Sequence, residues 1–215
     1  MQLTRRAGTA RHNFTRSQAP AWERNFGGKL LLSQRLNLMR TRYRITEHNY
    51  PYFITSTTVA WIPVFTRKPY IEVLINSLNF CCHHKGLKIF AYVIMDNHIH
   101  LVVAGERLSD SIKEFKSYTA REIVRMAGKE DKSWLLSQLK FHKQDHKTDS
   151  RHQVWQEGFH PQQIYSEEVL EQKVTYLHHN PVRAGLVAQA EDWFYSSARN
   201  YAGLPAALEI DVLET

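Results

Sequence analysis

Apolar and polar positions along the chain fall into segments of two different periods. From Tyr50 to Trp61, the run Tyr52-Phe53-Ile54-Thr55-Ser56-Thr57-Thr58-Val59-Ala60 is dense in aromatic and β-branched residues and predicts a strand. Pro63 and Pro69 punctuate a loop, and Pro69 suits the first turn of a helix. Ile71, Leu74, Ile75, Leu78 and Cys82 then recur at helical spacing, with Gly86 as the stop. Two strands follow, Leu87 to Met95 and His98 to Val103, joined by an Asp96-Asn97 turn. A helix is expected from Leu108 to Gly128, capped by Ser109 or Asp110, with Ile112, Phe115, Ile123 and Met126 on one face. A short ordered piece around Trp134 to Phe141 leads into a polar surface loop, His142 to His152. Val154 to Tyr165 reads as a further strand segment. Ser166 caps a last helix with Val169, Leu170, Val174 and Leu177 on its apolar face, and Asn180-Pro181 ends it. Trp193 to Ser197 begins a C-terminal tail.

The order is therefore strand, helix, strand, strand, helix, strand, helix. Its first six elements match the ferredoxin-like βαββαβ arrangement, an α+β fold with an antiparallel sheet and helices on one face, here with an added C-terminal helix. In that arrangement the His98 strand lies centrally. The expected boundaries are a basic N-terminal extension over 1–44, a domain over 45–204 and a tail over 205–215.

Charge adds a partner class. The 215 residues carry 28 Lys and Arg against 21 Asp and Glu, a formal net charge of +7. Such an excess suits a polyanion, most simply nucleic acid. It is concentrated in the extension, where basic residues from Arg5 to Arg44 face a single acid, Glu23. That segment is either a solvated leader or an arm that folds onto DNA phosphates. The only cysteines, Cys81 and Cys82, are adjacent, which excludes a disulfide framework or a C-x-x-C metal knuckle. A reducing compartment, the cytoplasm, is expected. No apolar run approaches the ~20 residues that span a bilayer.

The candidate chemistry sits at His98-Ile99-His100. Residues two apart on a strand share a face, so the imidazoles stand side by side while Ile99 turns into the core. Two such imidazoles make half of a metal site. On the next helix, Tyr118 and Glu122 lie roughly 40° apart around the axis. They occupy the rim of its apolar face, from which they are expected to reach the histidines.

The ordered set Asn97-His98-Ile99-His100-Leu101, Lys116-Ser117-Tyr118-Thr119-Ala120-Arg121-Glu122, Trp155-Gln156-Glu157-Gly158-Phe159-His160, Tyr176 to Val187 and Trp193 to Ser197 resembles the single-tyrosine HUH transposases, and most closely the REP-associated tyrosine transposases of bacteria. The likeness covers Tyr50 to about Tyr201. It implies a protein that cleaves and rejoins one DNA strand at palindromic hairpins. A divalent cation on the two histidines and a third side chain would polarise the scissile phosphate, and a tyrosine would attack it. The product would be a 5′-phosphotyrosine and a free 3′-hydroxyl.

On this basis Tyr118 is the expected nucleophile, and His98, His100 and Glu122 are the expected ligands of Mg²⁺ or Mn²⁺. A phenol ionises near pH ~10 and needs a neighbouring cation to become an effective nucleophile. Arg42, Arg44, Arg67, Lys68, Arg121, Arg125 and Arg183 are candidates for DNA contact. Asn97, Trp155 and His160 are candidates to flank the site. At position 161 the chain has proline where the family is expected to carry an acid. Two rivals stay open: a DNA-hairpin-binding regulator without cleavage, and a protein whose histidine pair belongs to a structural zinc site. A monomer acting in cis and a dimer sharing tyrosines are equally compatible with the sequence.

Overall fold

The computed structural model describes residues 50–211. The basic extension, its boundary at 44, and Arg42 and Arg44 lie outside that range. The fold begins with β1 (Tyr52–Thr57), a 3₁₀ turn (Val59–Trp61) and α1 (Lys68–Lys85). The hairpin β2 (Lys88–Ile94) and β3 (His98–Ala104) comes next, then α2 (Leu108–Lys129) and α3 (Ser133–Phe141). A two-residue strand, β4 (Gln162–Gln163), precedes α4 (Glu167–His178) and the single turn α5 (Asn180–Arg183). The strands form one sheet in the order β2-β3-β1-β4, antiparallel throughout. That is the expected ferredoxin-like order, with the histidine strand central.

Local chemistry explains most boundaries. Pro69 enters the first turn of α1, and Gly86 closes the helix at φ 65°, a left-handed conformation that suits glycine. Ser166 Oγ accepts from Val169 N–H at 3.3 Å and so caps α4 as expected. The cap of α2 differs. Arg107 holds that position, and its guanidinium binds Asp110 at 3.0 Å instead. The Val154–Tyr165 strand reduces to β4 and a single bridge from Thr58 to Trp155, with Gly158 at φ 97° bending the chain between them.

The alternation of side chains along the strands decides what each face buries. Ile54, Ile99, Leu101 and Val103 point to one side, where they pack with Leu74 and Leu78 of α1 and with Ile112, Phe115 and Ile123 of α2. Phe53, Val93 and Val102 point to the other, where Leu177, Val174 and Val169 of α4 cover them. The two βαββαβ helices share one face, as expected, and the added C-terminal helix takes the second.

The described residues after α5, as far as Asp211, pack against this domain. Ile94 N–H donates to Tyr195 O (2.9 Å), and Ser197 N–H donates to Tyr92 O (2.9 Å). Further along, Asp211 exchanges backbone and carboxylate hydrogen bonds with Ile89, and Leu208 is buried in the core. These contacts cover the outer edge of β2, which would otherwise offer unpaired groups to another chain.

Candidate active site on the α4 face

The site grows from the alternation of β3. Because Ile99 and Leu101 are committed to the α1/α2 core, His98 and His100 must face α4. Their ring centroids are 4.8 Å apart. His100 is paired with Thr55 in the β1–β3 register, and its Nδ1 shares a 2.8 Å hydrogen bond with the Thr55 hydroxyl. His98 Nδ1 meets Asn97 Oδ1 at 2.6 Å. Asn97 spends its amide N–H on Trp61 O (3.3 Å), so its oxygen faces the imidazole and accepts the Nδ1 proton. Nε2 of His98 is thereby left as the lone-pair nitrogen.

The loop that positions Trp61 is itself held under strain. Ala60 (φ 49°) and Trp61 (φ 57°) are successive non-glycine residues in the left-handed region. That conformation costs on the order of 1 kcal/mol each. Thr58 Oγ1, reaching both Ile62 O (2.8 Å) and Asn97 O (3.0 Å), ties the loop to the β2–β3 turn.

Aromatic rings line the floor. Phe53 stacks on His100 at 5.3 Å between centroids. Tyr176, on α4, stands edge-on to His100 at 5.6 Å and to Phe53 at 6.1 Å. The Arg183 guanidinium lies 4.3 Å over the Tyr176 ring, and Arg183 Nη2 donates to Tyr176 O at 2.9 Å. Asn180 Nδ2 donates to the same carbonyl at 3.1 Å.

Burial sets the protonation states. It pushes the His98 imidazole down to about 4. His100 is also held well below its ordinary value, first by burial and then by the charges of His98, Arg183 and Lys173. Both are therefore neutral near pH 7, the form that ligates a metal. Burial raises the Tyr176 phenol, while the charge of Arg183 and hydrogen bonds from Asn180 and Arg183 pull it back.

The expected residues divide between the two faces. Tyr118 and Glu122 belong to α2, which packs on the Ile99 side of the sheet; the histidines face the opposite side. Tyr118 is half exposed there, and Glu122 binds Arg125 Nε and Nη2 at 2.9 and 2.7 Å, which lowers its carboxyl. The expectation that α2 brings both to the histidines is thus corrected. Helical spacing placed the two residues together, but β3 had already turned its histidines away from that helix. Arg121 and Arg125 ride on α2 as well.

Trp155 is buried in the α1/α2 core, where its Nε1–H donates to Thr119 Oγ1 at 3.0 Å, so it is structural. His160 is exposed and stands against Gly158, in the loop before β4. Arg67 pairs with Glu130, and Lys68 pairs with Glu72 at 3.5 Å. Asn97 lies beside His98, and Arg183, the expected DNA contact, lies over the Tyr176 ring. Tyr176, Thr55 and Lys173 were missed, although Tyr176 opens a motif quoted from the sequence.

The donor set fits half of a metal centre. Two neutral imidazoles stand together, and each has a partner on Nδ1. Among the described residues no group of three His, Cys, Asp or Glu side chains could hold an ion. Nor is any helix among them long and apolar enough to cross a membrane.

Comparison with known proteins agrees with this architecture. A Haemophilus influenzae protein that carries the name REP-associated tyrosine transposase is 25% identical over 128 residues, 60% of this chain and 68% of its own length. The solved structure of a REP-associated tyrosine transposase bound to a REP hairpin superposes with a TM-score of 0.56 at 19% identity, covering 80% of this chain and 92% of that one. At that identity the likeness carries the fold. The family described as Transposase IS200 like matches residues 47–180, a span that includes β1, both histidines and Tyr176, and the chain belongs to this family of transposases.

Proposed function

We propose that the protein is a metal-dependent single-strand DNA endonuclease and strand transferase that binds REP-like hairpins, with Tyr176 as its nucleophile. The observation that carries this reading is the edge-on contact of the Tyr176 ring with His100, on the face where both imidazoles are neutral. His98 and His100 would hold Mg²⁺ or Mn²⁺ through Nε2, with DNA oxygens and water completing the shell. Such a cation would polarise the scissile phosphate and offset the charge that builds on its oxygens.

The chain's own residues do the rest. Arg183 and Asn180 oppose the effect of burial on the phenol, which eases loss of its proton. Tyr176 Oη attacks phosphorus, the bond to the 3′-oxygen breaks, and that oxygen leaves with a proton as a hydroxyl. The tyrosyl ester conserves the energy of the broken bond for the reverse reaction. The role that the sequence suggested for Tyr118 passes to Tyr176.

The test is covalent capture of a labelled hairpin with a single-stranded flank, in Mn²⁺. Tyr176→Phe is expected to bind the hairpin without forming an adduct, and Tyr118→Phe to form it at the wild-type rate. An adduct on the Tyr176→Phe protein would defeat the assignment. Hairpin binding with no adduct in the wild type would favour the regulator.

A further inference from the structure

Lys173 precedes Tyr176 by one turn on the same side of α4. Its ammonium is half-buried, 4.9 Å over the Phe53 ring, and donates to Gln162 Oε1 at 2.7 Å. Phe53 is the common neighbour: the same ring stacks on His100 at 5.3 Å and meets Tyr176 at 6.1 Å. Both groups that hold Lys173 are therefore neutral. By contrast, Lys85, Lys68 and Lys147 each have a carboxylate partner within 3.5 Å. An ammonium half out of water, held by an aromatic and an amide and by no carboxylate in these contacts, is left with a charge that an anion can compensate. Gln162, anchored in β4 opposite Phe53, fixes where the charge points.

We propose that Lys173 binds a non-bridging oxygen of the scissile phosphate and stabilises the charge that develops there as Tyr176 attacks. This assignment rests on the proposed function. It places a protein cation on each side of Tyr176 along the chain, Lys173 before it toward the phosphate and Arg183 after it over the phenol ring. A lysine suits this position because its compact charge needs no fixed fork geometry.

The experiment compares Lys173→Met and Lys173→Arg with the wild type, measuring single-turnover adduct formation, hairpin affinity and melting temperature. Methionine keeps the length and apolar stem that pack on Phe53 and removes the charge together with its hydrogen bond to Gln162. Lys173→Met is expected to slow adduct formation about 10²-fold. Hairpin affinity should stay within about threefold, because the contact strengthens in the transition state. Lys173→Arg should keep most of the rate. Equal rates in Lys173→Met and wild type would overturn the proposal, since packing alone would then suffice. So would equal losses in both variants, or a loss seen in affinity rather than rate. Should Lys173→Met fail to fold, Lys173→Gln takes its place under the same criteria. A wild type that forms no adduct would instead overturn the function on which the assignment rests.

Discussion

The two faces of the sheet are built from the same strands and both bury apolar side chains, but only the α4 face adds a cluster of titratable ones. On the α1/α2 side, Ile99 and Leu101 meet leucines, isoleucines and Phe115, and the polar pair Thr119–Trp155 is satisfied internally. On the α4 side, the neighbouring residues of the same strand are His98 and His100, set among Phe53, Tyr176, Lys173 and Arg183. One face is packed for stability. The other holds neutral bases, a phenol and cations at some cost to stability, an arrangement expected of a site rather than a core. Each face has a helix tyrosine, and the comparison assigns them different work: Tyr118 is surface on the stabilising side, while Tyr176 is pressed against His100.

The sharpest way to break this division is to mutate successive β3 residues. His100→Ala is expected to cut adduct formation by at least ~10³-fold, given the several kcal/mol that a bound cation contributes to phosphoryl transfer. Leu101→Ala, one residue on and facing the other way, should cost ~2–5 kcal/mol of stability. Its adduct yield per folded molecule should be unchanged. Urea denaturation and covalent capture on both variants check the pair. A Leu101→Ala protein that is stable but inactive would dissolve the distinction between faces.

A subtler pair uses two threonines. Thr55→Val removes the hydroxyl from His100 Nδ1 and is expected to weaken Mn²⁺ binding 10–100-fold, read by titration calorimetry, as losses of such supporting partners typically do. Thr119→Val removes the acceptor of the buried Trp155 N–H and should cost ~1–2 kcal/mol of stability with Mn²⁺ affinity intact.

Acid should also discriminate between the faces. Burial holds the α4 residue His178 down to about 4, against an ordinary 6.5, where it meets Ser197 Oγ at 2.8 Å. Between those values the unfolded chain binds a proton that the folded chain does not. Stability is therefore fully present above pH ~6.5 and lost as pH falls towards 4, by on the order of 1 kcal/mol from this group. The histidines of α1, His83 and His84, are exposed. Hydrogen exchange is expected to speed up in α4 before α1 on acidification; His98 and His100, also held down by burial against α4, contribute to the same response, so His178→Gln should reduce it without abolishing it.

Much of this was legible in the residues. Alternation located the hairpin and set His98 and His100 on one face, and the order of elements implied the sheet with β3 at its centre. Which helix meets the histidines was not legible from periodicity. A 3.6-residue period says which residues of α2 share a side with Phe115; it does not say which side of the sheet α2 covers. Ile99 was legible as a core residue, and the consequence of that was not carried through to the helices. An apolar residue between two histidines sends the imidazoles away from whichever helices cover it, and α1 and α2 were the helices packed by the βαββαβ order. The seventh element, with Val169, Val174 and Leu177 still to bury, had only the histidine face left, and it carried Tyr176 there. Lys173 escaped notice because the ring it lies over, Phe53, comes from β1, far away in sequence. The brevity of β4 depends on the bend at Gly158, which a strand-like composition does not reveal.

The smallest expected effect tests the same point from the stabilising side. Glu122 was the expected third ligand, four residues beyond Tyr118. On α2 its Oε2 instead accepts both hydrogen bonds from Arg125, with the two side chains 26% and 50% exposed. An exposed pair at i,i+3 contributes only ~0.2–0.5 kcal/mol. Glu122→Gln should therefore lower stability by no more than ~0.5 kcal/mol. It should leave Mn²⁺ affinity and adduct formation at wild-type values, because the carboxylate and the imidazoles are on opposite sides of a closed hydrophobic layer. A clear drop in Mn²⁺ affinity in Glu122→Gln, with the fold intact, would mean that α2 leaves Ile99 and Leu101 uncovered to bring its carboxylate round to the histidines. That rearrangement would expose the largest buried cluster among the described residues, which is the physical reason to expect Mn²⁺ affinity to survive in Glu122→Gln.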